Sequence, residues 1–175
     1  MLMYSFAHVS ADDPLFGSIG IELDHENGAL VVDGGGLPRA EMTRAAGTPL
    51  ESHVPIGTRD PQYLIMTVDD TAVTLRPAKG FLTRRSYRVD VGSEETGSGH
   101  RLVPDSLGSS RLLRDGVLIG AFTSTGDGVV TAEWEPDADP EPRDAAIGYA
   151  LAAAFGTGAE PMWKLTLEAV LAMWP

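Results

Sequence analysis

The side chains of this sequence able to carry a proton or ligate a cation are 25 aspartates and glutamates and four histidines; there is no cysteine. Disulfides, thiolate nucleophiles and thiolate zinc sites are therefore excluded. His8, His25, His53 and His100 stand in four separate segments with no ligand spacing between any two. They read as isolated exposed or hydrogen-bonded side chains. Glu133, Glu135, Asp137, Asp139 and Glu141 occupy alternate positions, which in an extended chain would set five carboxylates on one side, as a hard cation such as Ca²⁺ requires. The run lacks the EF-hand glycine and prolines interrupt it, so a solvated acidic linker is the expectation. Asp24 and Asp33 with a distant carboxylate would suit glycoside hydrolysis, but any chain with this many acids offers such pairs. Gly34-Gly35-Gly36 follows the apolar run Ala29–Val32 without the GKT, GKS or GxGxxG context of a phosphate loop, and reads as a plain flexible turn. No catalytic residue, cofactor or metal ligand is assigned on these grounds.

Cations form the more informative cluster. The formal net charge is −12, which opposes non-specific binding to nucleic acid and to anionic lipid. Yet residues 76–114 hold eight of the thirteen cations against four acids, whereas residues 127–144 hold seven acids and one arginine. Arg76, Lys79, Arg84, Arg85 and Arg88 could form a local basic face. On a strand, Arg84 and Arg88 share one side and suit a phosphate or an acidic partner; pairing with the chain's own acids at 133–144 explains them equally well. Trp163 and Trp174, with Met162 and Met173, offer either a partner-binding stripe or a face packed on the rest of the domain.

The elements that must position these residues are mostly strands. Leu2, Tyr4 and Phe6 alternate, as do Ile19, Ile21 and Leu23, then Leu64, Met66 and Val68, and Thr71, Val73 and Leu75 across an Asp69-Asp70 turn. Tyr87, Val89 and Val91 lie opposite Ser86, Arg88 and Asp90. Asp115-Gly116 supplies the positive φ angles of a type I′ hairpin within Arg111–Thr123. Val130, Ala132 and Trp134 alternate with Thr131, Glu133 and Glu135, giving one dry and one wet face.

After Trp134 the prolines at 136, 140 and 142 end the ladder and predict a linker over 136–142. A helix over 143–155 follows, apolar on nearly every side and stopped by Gly156. Its strongly apolar stretch is 11 residues, against the about 20 a membrane span needs, so it belongs inside protein. A second helix is expected over 161–174, and the proline-rich stretch 34–62 reads as a long functional or mobile loop, interrupted by a short helix over Pro38–Ala46 that Gly47 ends. The N-terminus has neither a basic region nor a long apolar run, so no signal peptide is expected. The length of 175 residues suits one domain, and a cytoplasmic location is the simplest reading.

A basic strand with an aromatic centre (Arg84-Arg85-Ser86-Tyr87-Arg88-Val89) precedes a hairpin carrying Leu112, Arg114, Asp115, Gly116 and Gly120. A strand ending Ala132-Glu133-Trp134 and the apolar helix from Asp144 follow. Over roughly residues 64–156 this order resembles the tubby C-terminal/LURP-one/phospholipid-scramblase superfamily. The resemblance implies a closed antiparallel barrel around a central hydrophobic helix. The functional expectation is a non-enzymatic binding or scaffold domain recognising a protein partner through Arg76, Lys79, Arg84, Arg88, Trp163 or Trp174. The alternatives are a peripheral lipid- or phosphate-ligand module using the basic strand and, third, a hydrolase built from dispersed carboxylates and a histidine. Nucleic acid is not an expected partner.

Overall fold

Among the described residues, eleven strands follow one another around a single antiparallel sheet in the order of the sequence. The computed structural model describes residues 7–78, 87–93, 97–106, 108–125, 127–157 and 172–173. The strands are β1 (Ala7–Asp13), β2 (Gly17–Asp24), β3 (Ala29–Asp33), β4 (Ala40–Arg44), β5 (Leu64–Val68) and β6 (Thr71–Pro77) in the first half. β7 (Val89–Gly92), β8 (Gly99–Ser106), β9 (Ser109–Arg114), β10 (Val117–Ser124) and β11 (Val130–Trp134) complete the sheet, and helix α1 (Pro142–Phe155) follows. The expected antiparallel barrel enclosing the apolar helix is what the chain forms. From Asp144 to Phe155 every residue of α1 is buried, and the helix touches strands on all sides, from β2 to β5 and from β8 to β11. No helix among the described residues is long and apolar enough to cross a membrane.

Period-two alternation decides which side chains reach α1. Ile19, Ile21 and Leu23 point inward from β2, Leu30 and Val32 from β3, Met66 and Val68 from β5, and Leu112 from β9, all nearly inaccessible to water. The tight turns carry the residues they require: Asp69 and Asp70 have φ of 53° and 60°, and Asp115 and Gly116 have 50° and 83°. At its start α1 has a reciprocal capping box between Glu141 and Asp144 with Pro142 in the first turn; Gly156 ends it at φ 73°.

An odd number of alternating strands makes β1 and β11 run parallel where the sheet meets itself. Gly128, entering β11, lies beside Val9 and Ala7 of β1, while Trp134 at the end of β11 reaches Asp13 at the end of β1. Among the described residues no backbone hydrogen bond joins these two strands. Side chains hold the seam instead. Buried Asp13 accepts from Trp134 Nε1 at 3.0 Å and 3.1 Å, from Tyr149 Oη at 2.6 Å, and from the amides of Leu15 and Phe16 at 2.8 Å and 3.0 Å. Rings of Phe16, Trp134, Phe122 and Tyr149 continue inward edge to face, with centroids 5.7, 5.4 and 5.3 Å apart. Gly120 leaves room for the Trp134 ring, and Gly148 lets Phe122 rest on the helix backbone, since a Cβ there would lie 2.4 Å from that ring.

Three expectations are corrected. Pro38–Ala46 is not a helix: Ala40–Arg44 forms β4, because pairing with both β3 and β5 outweighs the helix-favouring composition of Ala-Glu-Met. Residues 45–63 are not a loose loop. They fold under the barrel, burying Val54 and Ile56, and the Ile56 amide donates to Ala154 O at 2.9 Å at the end of α1. Arg44 holds this plug through the carbonyls of His25, Ile56 and Glu26, and Arg59 bonds the carbonyls of Ala78 and Tyr87 while lying 5.3 Å from both the Tyr87 and Phe155 ring centroids. Tyr87 itself is exposed and precedes β7, so it does not share the inner face with Val89 and Val91. The expected strand at Leu2–Phe6 lies outside the described residues, as does the expected helix over 161–174 apart from Ala172 and the exposed Met173.

Candidate functional site

A cavity of about 630 Å³ opens on the outer face of β6, β7, β8 and β9. Cross-strand register builds it in two rows. Arg76, Asp90, Arg101 and Leu113 are successive neighbours across the four strands; Thr74, Gly92 and Gly99 form the next row. Gly92 and Gly99 face each other without side chains, so the second row is a depression with backbone as its floor. Ser93, Gly97 and Ser98 border it, with Gly97 N to Ser93 O at 2.9 Å and Ser93 N to Ser98 O at 3.1 Å. The β9–β10 turn closes the far side, where Asp115 Oδ1 accepts from the Gly99 amide at 2.8 Å and the Asp115 amide donates back to Gly99 O at 2.8 Å.

The charges in this trough are unevenly paired. Arg101 grips Asp90 through Nε at 2.6 Å and Nη2 at 3.1 Å, and this carboxylate raises the Arg101 pKa above its ordinary value. Arg88 Nε lies 3.7 Å from the same carboxylate. Arg76, the register neighbour of Asp90 on the other side, makes no ion pair with any described residue. Among the described residues, Arg76, Arg88 and Arg101 against Asp90 and Asp115 leave one net positive charge on this face of a chain whose total is −12. The Arg101–Asp90 pair is half exposed and contributes little to stability. Its effect is to fix the direction of both side chains.

On the inner face of the same strand, His100 is buried and its Nε2 lies 2.7 Å from Asp144 Oδ1. Asp144 Oδ2 accepts from Arg114 Nη1 at 2.5 Å and from the Glu141 amide at 2.7 Å. Burial pushes the Asp144 carboxyl pKa up. The hydrogen bonds from His100 and the Glu141 amide, with the charges of His100 and Arg114, outweigh it and hold the pKa below the usual value. A histidine oriented by an aspartate is half of a nucleophile-activating triad. Here both carboxylate oxygens are committed, one of them to a guanidinium and the helix cap, so the group works as an anchor tying α1 to β8 and β9.

Several remaining candidates have structural partners, while His53 is exposed. His8 meets Glu22 on the surface at 3.1 Å, and His25 Nδ1 lies 2.9 Å from Pro55 O. Asp24 stabilises its own turn through Asn27, and Asp33 pairs with Arg39 at 3.3 Å, so they do not form a carboxylate pair. Gly34 and Gly35 are pressed against the Ser18 and Phe16 carbonyls at positive φ, which makes their turn tightly packed. Among the described residues no three metal-ligating side chains converge.

Of the residues expected to recognise a partner, Arg76 and Arg88 come together around Asp90, with Arg76 lining the trough. Lys79, Arg84, Trp163 and Trp174 lie outside the described residues, as does Arg85. Pairing of Arg76 and Arg88 with the acidic stretch 133–144 is not seen: Glu133, Glu135, Asp137, Asp139 and Glu141 are exposed and none bonds to them. Asp90, Gly92, Gly99, Arg101 and Asp115 were not read as site residues from the sequence. The available signal was two glycines on the solvent side of strands, which mark places where something approaches the backbone. No family model matches the chain, nor does any curated protein or solved structure.

Proposed function

We propose that this chain is a non-enzymatic binding domain that recognises a protein partner through the outer face of β6–β9. The observation that carries the reading is a concave, net-positive trough on a strongly acidic molecule, with the Arg76 guanidinium free of any ion pair among the described residues. A cation held on a rigid sheet and left unsatisfied is pre-organised for an anionic group on another molecule. His100 borders the trough, but its side chain is buried against Asp144, whose oxygens are committed, which argues against chemistry there. A peripheral lipid module is the weaker reading, because a molecule of charge −12 is repelled by an anionic bilayer surface. The enclosed helix supports the resemblance to the tubby C-terminal/LURP-one/phospholipid-scramblase superfamily as a matter of architecture. A cytoplasmic setting belongs to the same reading.

The test is charge reversal on the face: Arg76→Glu, Arg88→Glu and Arg101→Glu together, with co-purification of the partner from the source cells. Loss of a partner retained by the wild-type protein, at unchanged melting temperature, is the expected result. Retention of that partner by the triple variant would refute the assignment of this face.

A further inference from the structure

Resting on the binding reading above, we infer that the trough seats an acidic, extended peptide segment of the partner, its backbone over Gly92 and Gly99 and a carboxylate on Arg76. The glycines are the reason. Gly120 and Gly148 are forced by packing, because a Cβ at either would strike Trp134 or Phe122 at under 3 Å. Gly92 and Gly99 are forced by nothing comparable. A Cβ at Gly92 meets no described atom within 4 Å, and at Gly99 only the Val91 carbonyl at 3.8 Å and Asp115 Oδ1 at 4.0 Å, both ordinary contacts. Neither has the positive φ that marks many other glycines in this chain.

Glycine within a strand weakens it, so a facing pair that the fold does not need leaves space for an outside group. The space runs across four strands, about 14 Å at ~4.8 Å per strand, the length of about four extended residues. The Thr74 side chain lines it and offers a polar partner, while the backbone of Gly92 and Gly99 is engaged in the sheet and with Asp115. The charge balance selects the ligand: Arg101 is already satisfied by Asp90, so among the described residues of the trough Arg76 alone is available, and its planar fork matches a single carboxylate. A phosphate dianion would face Asp90 and Asp115 with only that one free cation among the described residues.

The experiment uses the full chain and a fluorescent oligo-glutamate peptide, with oligo-glutamine as the neutral counterpart and inorganic phosphate as competitor. Wild-type protein should bind oligo-glutamate and not oligo-glutamine, and Arg76→Gln should weaken binding about tenfold or more. Gly92→Val should abolish it while the melting temperature holds or rises, because the branched side chain fills the slot without touching the core. Arg39→Gln, on β4's approach far from the trough, should bind like wild type. Oligo-glutamate binding unchanged by Gly92→Val overturns the inference, as does no binding by wild type, or displacement of the peptide by stoichiometric phosphate. If Gly92→Val still retains the cellular partner that the triple arginine variant loses, the outer face remains the recognition surface and only the slot is wrong.

Discussion

Replacing Asp13 by alanine isolates the contribution of the seam. The substitution removes the acceptor for Trp134 Nε1, Tyr149 Oη and the Leu15 and Phe16 amides. The two amides belong to an exposed turn, where water replaces the carboxylate at small cost. The Tyr149 hydroxyl is buried and would be left without an acceptor, a penalty of about 1–3 kcal/mol, and the half-buried indole adds about 1 kcal/mol. Asp13→Ala should therefore destabilise by about 2–4 kcal/mol. Tyr149→Phe alone should cost about 1–2 kcal/mol, because Asp13 keeps its other three donors. Once Asp13 is alanine, however, Tyr149→Phe removes only an orphaned hydroxyl and should be neutral or slightly stabilising. Urea denaturation of all four proteins, followed by circular dichroism and fitted with a common slope, gives the coupling directly. A coupling of about 1.5–3 kcal/mol is expected. Additivity to within about 0.5 kcal/mol would show that the carboxylate does not hold the seam.

The same tyrosine makes stability fall in alkali. Burial, then the Asp13 hydrogen bond and charge, raise its pKa above the ordinary 10.0, so above pH 10 the unfolded chain loses a proton that the folded one keeps. The urea midpoint should drop there more steeply for wild type than for Tyr149→Phe; equal slopes would contradict the burial argument. Asp144 acts in the opposite sense: its folded pKa lies below 3.8, so its contribution is present above that value and disappears as pH falls through and below it. Asp144→Asn should therefore be less stable than wild type near neutrality and approach it in acid, read as converging melting temperatures below pH 4. Gly148→Ala should cost about 1–3 kcal/mol by driving a methyl into the Phe122 ring, measurable as a lower urea midpoint with unchanged slope.

Local signals were legible where they were also the whole cause. The Asp115-Gly116 hairpin, the Asp69-Asp70 turn and the α1 boundaries follow from φ requirements and capping, which neighbouring residues settle alone. The enclosure of α1 was readable because a helix with no polar side has nowhere else to go. β4 was misread since Ala-Glu-Met carries helix propensity and its strand state depends on partners on both sides. β8 was missed because Pro104 interrupts it; the proline sits at the register shift between 104 and 106, where a ladder donor is dispensable. The trough was half visible: Arg76 and Arg88 stood out by charge, but Arg101 and Asp115 join them only through cross-strand register. Asp13 with Tyr149, 136 residues apart, and His100 with Asp144, 44 apart, left no mark in the sequence.

The parallel seam has a consequence for the order in which the molecule assembles. Neighbouring strands pair as soon as each hairpin exists, so most of the sheet forms from short-range contacts. The helix that fills the lumen is made after all eleven strands, and a closed barrel offers it no entrance. Closure must therefore wait, with the inner faces of β1–β11 wet, until α1 lies against the open sheet. Because no ladder bond joins β1 to β11 among the described residues, the sheet can stay open along this seam during that interval without breaking one. Asp13 then shuts it by reaching Tyr149 on the late-arriving helix, the contact that spans the greatest stretch of chain among the hydrogen bonds described. A nascent chain held in that state would be an open, apolar-lined half-pipe, the kind of species that exposes hydrophobic surface and calls for a chaperone.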